Sequence, residues 1–286
     1  MGIRIVTASI LLALAYMWLF VAPYEFFVIG SLAIYAIAAH EMGALFPFKS
    51  KIVFLLIATF VLTTIFYFAP PGLYIDGIVP NFIYYIIYSS VIVWLVSLPL
   101  LKSYPHNTAW QQNKILTIIL GLLLLLPFFF GLLILRATNY RQDPQEGALL
   151  VLAVMALVWL ADSGAYFSGR FFGKHKLLEM VSPKKTLEGV YGGVAIALIG
   201  LYLFSKYGCY SYYQANSIAL YIAGVIAILF SIVGDLVESM LKRISGIKDS
   251  GKIFPGHGGM LDRIDSQLAA IPLFITVNLL LTQYLA

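Results

Sequence analysis

Polar residues are sparse along this chain, and they gather in short clusters that separate long apolar runs. Nine runs are long enough, or nearly so, to cross a hydrocarbon core of about 30 Å. They are Ile5 to Ala22, Phe26 to Leu45, Ile52 to Phe68, Phe82 to Leu101, Ile115 to Leu135, Ala148 to about Ser168, Val190 to Phe204, Ile218 to about Ser239, and Leu268 to Tyr284. The pattern predicts an all-α fold, a polytopic integral membrane helical bundle of about nine transmembrane helices. The first run lies where a signal peptide would. Its apolar stretch is too long for one, and Phe20 and Ala22 make a poor small-residue cleavage pair. It reads as a retained span.

Composition supports this picture. Hydrophobic residues make up 61% of the 286 and charged residues 11%, against about 25% charged in soluble domains. The net charge of +5 raises the question of nucleic acid, and its placement answers it. With the N-terminus cytoplasmic and sides alternating, 15 of the 18 Lys and Arg fall inside; only Arg136, Arg141 and Lys206 fall outside. That is the positive-inside bias, so the charge is a topology signal and no nucleic-acid partner is needed. Cys209 is the only cysteine, which excludes an internal disulfide and a Cys-based zinc cage.

The chain divides unevenly. Residues 1–147 hold five spans with few ionisable groups. His40 and Glu41 are the exception, near the inner end of the second span, as a local pair or an interfacial anchor. Residues 148–286 hold four spans with cytoplasmic polar loops and nearly all the chemistry-capable side chains. No inverted repeat of the kind common in transporters is visible.

Three clusters stand out, all on the expected cytoplasmic side. The first, residues 160–193, sets Asp162 inside the membrane end of the sixth span. An acid at such depth costs roughly 2.5 to 3.5 kcal/mol on insertion scales. Arg170, Lys174, Lys176, Lys184 and Lys185 follow, with Ser182, Thr186 and six glycines. Cations, hydroxyls and open backbone N–H groups suit phosphate; a basic loop touching lipid headgroups is the plainer reading. The second cluster closes the eighth span. Ser231, Asp235, Glu238 and Lys242 recur at helical spacing and share a face. Two buried carboxylates three residues apart need a cation: a divalent metal, or Lys or Arg from a neighbouring helix. The third is the loop 251–266. Asp262 and Asp265 repeat the three-residue spacing and share a face if the ninth helix starts near Leu261. Pro255 blocks helix before it, His257 lies between Gly256 and the pair Gly258 and Gly259, and Lys248, Asp249, Lys252 and Arg263 surround it.

Acids in pairs, cations and glycine turns at a membrane surface suit phosphoryl or nucleotidyl transfer to a lipid. There is no GxxxxGK[ST] loop, so a nucleotide would be held another way. The stretches "SPKKTxEG" from Ser182, "SxxGDLxESxxKR" from Ser231 and "KDSGKxxPGHGGxLDRxDS" from Lys248 resemble the phosphatidate cytidylyltransferase (CDP-diacylglycerol synthase) family. Leu187 departs from that pattern, where an aromatic is common.

The resemblance implies a reaction in which CTP and phosphatidate give CDP-diacylglycerol and pyrophosphate. It implies Mg²⁺ at Asp235 and Asp262, with Glu238 and Asp265 holding or orienting ligands, and a second, monovalent cation such as K⁺. Asp235, Asp262, Asp265, Lys184 and His257 are the expected catalytic set. Arg170, Ser182, Lys185, Thr186, Lys242, Arg243, Lys248, Asp249, Gly258, Gly259 and Arg263 are the expected substrate contacts. A homodimer in a bacterial-type inner membrane, with the site facing the cytoplasm, is implied too. A transporter would scatter its acids along a pathway. A CTP-dependent lipid kinase would differ in the acceptor, and a phosphatidyltransferase would show a different acid motif.

Overall fold

The protein was analysed as a computed structural model that describes residues 13–46, 51–254 and 258–285. Eight helices among them are long and apolar enough to cross a membrane. We number the helices α1 (Tyr24–Leu45), α2 (Lys51–Phe68), α3 (Asn81–Ser103), α4 (Lys114–Ala137), α5 (Pro144–Phe172), α6 (Leu187–Lys206), α7 (Ser217–Ile244), a one-turn α8 (Leu261–Ile264) and α9 (Gln267–Leu285). Of the first apolar run, only the part from residue 13 is described; it is helical through Met17–Val21. Arg4, Lys49, Pro255 and His257 also lie outside the described residues.

Helix starts follow local chemistry. Asn113 accepts hydrogen bonds from the N–H groups of Ile115 and Leu116, at 3.1 and 3.2 Å, and so caps α4. Asp143 caps α5, whose first residue is Pro144, and Thr186 Oγ1 caps α6 by accepting from Gly189 N at 3.1 Å. Each satisfies an N–H that the helix itself leaves free.

Two features differ from the sequence expectation. Residues 176–186 form a small antiparallel hairpin, β1 (Lys176–Leu178) and β2 (Ser182–Thr186), so "SPKKT" is a strand and not a loop. Val181, at its turn, is 1% exposed and anchors it to the bundle. The ninth span does not start at Leu261 as one helix. Asp265 and Ser266 interrupt it between α8 and α9. There the Asp265 carbonyl comes so close to Gly234 of α7 that a Cβ at 234 would lie 2.6 Å from it.

α9 lies at the centre. It packs most extensively on α7 and also touches α3, α4 and α5. Leu268, Ala269, Ala270, Ile271, Phe274 and Ile275 are all buried. The stretches on either side of residue 147 therefore share one core. α5 and α6 form the closest helix pair, and a Cβ on Gly193 would meet the Ala161 carbonyl at 2.4 Å. Small residues permit such approach where lipid gives no hydrophobic drive to pack.

At the end of the bundle away from the polar clusters, Arg136 is 1% exposed. Its guanidinium donates to the carbonyls of Leu19 at 3.1 Å, Pro144 at 3.0 Å and Ala22 at 3.4 Å, and lies over the rings of Phe27 and Tyr140. It ties the first helical stretch to the turn between α4 and α5. Arg136→Met leaves those carbonyls without a donor and should cost about 3 kcal/mol. The expected readout is a thermal midpoint several degrees lower in detergent, with Michaelis constants unchanged because the site is at the other end.

Candidate active site

The functional candidates fall into two adjoining groups. α5, β2, α6 and α7 enclose a cavity of about 390 Å³, lined among others by Asp162, Arg170, Lys184, Lys185, Thr186 and Asp235. That volume is ordinary for a small-molecule site. Lys185 forms an ion pair with Asp235. Asp162 interacts electrostatically with Asp235, Lys185 and Arg263, and Asp265 with Asp235, Asp162 and Lys185. Three carboxylates thus share one lysine, with Arg263 acting on Asp162. Burial, and then the charge of Asp235, push the Asp265 carboxyl above its ordinary range, against the pull of the Ser266 N–H.

The second group lies further along α7. Lys242 Nζ is 2.5 Å from Glu238 Oε2 and 2.7 Å from Asp262 Oδ1. Asp262 Oδ2 accepts from Gly259 N at 2.7 Å, Ser250 N at 3.0 Å and Ser250 Oγ at 2.9 Å. Asp235 and Glu238 share a stretch of helix, yet they turn to different cations. Asp262 and Asp265 lie one helical turn apart and both meet α7: the first pairs with Lys242, and the second interacts with Asp235. The cation that neutralises Glu238 comes from the next turn of its own helix, not from a neighbouring one.

The remaining candidates are spread around these groups. Arg170 Nη1 donates to the Tyr166 hydroxyl at 3.0 Å. Arg243 Nε donates to the Val181 carbonyl at 3.4 Å and so holds the hairpin turn on α7. Ser182 pairs with Leu178 in the hairpin. Gly258 forms a bridge with Phe254. Lys248, Asp249 and Arg263 are exposed. Asp162, which the sequence marks only as a buried acid, is brought into the same cluster as Asp235 and Asp265.

Metal fit can be judged from this donor set. Three acids around one ammonium leave negative charge unmatched in a poorly solvated place, which suits a hard divalent cation. Among the described residues, no three acid, His or Cys side chains are gathered closely enough to grip an ion. Ligation therefore requires Lys185 to withdraw from Asp235. Asp262 and Glu238 can join only if Lys242 lets go of them.

The charge state of Asp262 is testable. Burial raises its carboxyl, but Lys242, the Gly259 N–H and Ser250 outweigh it and hold it at about 2, below the ordinary 3.8. A lowered pKa makes its contribution to folding complete above 3.8, with loss as pH falls through about 2. Protection of the Ser250 and Gly259 amides, measured against the intrinsic exchange rate at each pH, should stay high at pH 4 and fall towards pH 2; loss of protection already at pH 4 would contradict the geometry.

Comparison with known proteins agrees over nearly the whole chain. The sequence profile of the "Cytidylyltransferase family" matches residues 2–281. A phosphatidate cytidylyltransferase of Haemophilus influenzae is 38% identical over 278 residues, 95% of this chain and 96% of its own. One from Pseudomonas aeruginosa is 36% identical over 275 residues, 95% of this chain and 94% of its own. One from Staphylococcus aureus (strain COL) is 46% identical over 144 residues, 50% of this chain and 53% of its own. This chain belongs to the cytidylyltransferase family, as a nucleotidyltransferase of the phosphatidate cytidylyltransferase type.

Proposed function

We propose that the protein transfers CMP from CTP to phosphatidate, giving CDP-diacylglycerol and pyrophosphate, at the cytoplasmic face of an inner membrane. One observation carries this reading: the cavity between α5, α6 and α7 sets Arg170, Lys184 and Lys185 beside Asp162 and Asp235. Phosphate oxygens entering it meet three cations, and the acids can share a metal. Its surroundings suit a lipid acceptor. Tyr166, Phe171 and Phe172 on α5 and Tyr191 on α6 are all exposed, as aromatic side chains at a membrane interface are. The basic-residue bias supports the cytoplasmic orientation, and the family resemblance supports a homodimer.

In this mechanism a phosphate oxygen of phosphatidate attacks the α-phosphorus of CTP in line. The new P–O bond forms as the bond to the β-phosphate breaks, and pyrophosphate leaves with the electron pair. The lipid brings its own nucleophile, so no Ser or Cys is needed. Arg170, Lys184, Lys185 and Arg263 offset charge on the phosphates. Asp235 and Asp265, with Asp162, would hold Mg²⁺, and a monovalent cation such as K⁺ would be a second occupant. Bound there, Mg²⁺ supplies neutralisation of the triphosphate charge. Asp262 keeps Lys242 and the loop in place, and its carboxylate is available to the metal when Lys242 turns away. Glu238 serves behind it, orienting Lys242. His257 is assigned from sequence alone, as a hydrogen-bond donor or proton shuttle.

The test is pyrophosphate release by purified protein given phosphatidate, Mg²⁺ and each NTP in turn. Release is expected with CTP alone, and it should need both lipid and Mg²⁺ and stop with EDTA. No release from any NTP by folded protein would end the proposal; CDP formation with a lipid alcohol would show a lipid kinase instead. Asp235→Asn and Asp262→Asn should each abolish turnover. Lys102→Ala, in the last turn of α3 and away from the cavity, should leave it intact.

A further inference from the structure

Glu41 is the one carboxylate of the first 147 residues that reaches the site region. It sits in α1, 2% exposed, and among the described residues no cation pairs with it. Its partners all come from the segment that leads into α8, more than 200 residues away. Oε1 accepts from Met260 N at 3.0 Å, and Oε2 from Leu261 N at 2.8 Å and Ser250 Oγ at 2.9 Å. Ser250 N donates to Asp262, and the Ser250 hydroxyl, with one proton to give, lies 2.9 Å from both Glu41 Oε2 and Asp262 Oδ2. One hydroxyl thus stands between the two carboxylates, and Glu41 grips the backbone immediately before Asp262.

The glycines of this segment fit the same contact. A Cβ on Gly251 would lie 2.1 Å from Glu41 Oε1, and one on Gly259 would lie 2.5 Å from both Glu41 oxygens. Neither glycine has a positive φ, so what they provide is room for the carboxylate, not a turn conformation. The segment is shaped around Glu41.

We infer that Glu41 is a positioning residue: its carboxylate, through the Met260 and Leu261 N–H groups and Ser250, sets where α8 starts and hence where Asp262 and Asp265 stand. Its role in turnover rests on the cytidylyl-transfer reading above; its hold on α8 does not. A carboxylate suits the task because both oxygens face donors. In Glu41→Gln the amide nitrogen must oppose an N–H at one of the two positions, so this near-isosteric change should already break the grip.

The experiment compares wild type, Glu41→Gln, Glu41→Ala, Gly251→Ala and the double variant Glu41→Ala/Gly251→Ala by amide exchange and steady-state kinetics. In Glu41→Gln, Met260 and Leu261 amides should exchange at least about 10-fold faster, with helices elsewhere unchanged. kcat should fall at least about 10-fold, and half-maximal rate should need more Mg²⁺; a mere loss of folded protein would lower the rate without moving the Mg²⁺ requirement. Gly251→Ala should be as damaging, and the double variant no worse than Glu41→Ala alone, because the two changes act on one contact. Unchanged exchange at 260 and 261, or additive losses in the double variant, would overturn the inference. Should Glu41→Gln not fold, Ser250→Ala removes only the hydroxyl link; it should show faster exchange at Leu261 and a smaller loss of kcat, and wild-type values in both would equally overturn it. A wild-type protein inactive with CTP would sink the proposed reaction and leave the exchange result to decide on Glu41.

Discussion

The interaction on which the site depends is the pairing of buried carboxylates with donors that the bundle supplies. An unpaired acid in a low-dielectric interior is costly, and the cost is met by proximity of a cation or of N–H groups. Asp235 is met by Lys185, Glu238 and Asp262 by Lys242, and Glu41 by backbone N–H groups and a serine. The geometry of β2, of the C-terminal half of α7 and of residues 250–251 and 258–261 follows from making those pairings at once. Asp162, which lines the cavity, and Asp265, which interacts with Asp235 and Asp162, have the least such support. Charge left unmatched there is what a substrate and its cation can complete.

This arrangement explains why the site takes parts from so many elements. A helix can present acids at regular intervals, but side chains one turn apart can still turn to different neighbours. Asp235 faces the hairpin and Glu238 faces Lys242, so one helix serves both the cavity and the scaffold beside it. The hairpin matters for the same reason. A strand holds Lys184 and Lys185 in a set frame, with Thr186 capping α6 and Arg243 fixing the turn.

Much of this was legible in the sequence. The apolar runs place eight helices closely, since hydrophobic length is a strong constraint in lipid. The three clusters converge as expected, because their spacing puts them all at one end of the bundle. The misreadings were local. The ninth span seemed to run on unbroken from Leu261; Asp262 and Asp265 do lie on one helical turn, with Asp265 N bonded to the Leu261 carbonyl, but the turn ends at Ser266, where the chain packs closely on Gly234, and no pattern shows that. The β-hairpin was missed because its strands are short and rich in Lys and Pro. Asp162 drew attention only as a buried acid, since its partners are 73 and 103 residues further on. Glu41 raised a question that the sequence could not answer, because every contact it makes depends on long-range folding.

The central position of α9 bears on how the protein is assembled. A ribosome delivers α7, with Asp235 and Glu238, before α9 enters the bilayer. Until then α7 lacks its most extensive packing partner, and its acids adjoin an incomplete wall. The bundle can therefore close only after the final span arrives and slots between α3, α4, α5 and α7. Insertion order makes α7 a late-maturing element, so anything that stalls α9 leaves its acids beside an unfinished wall.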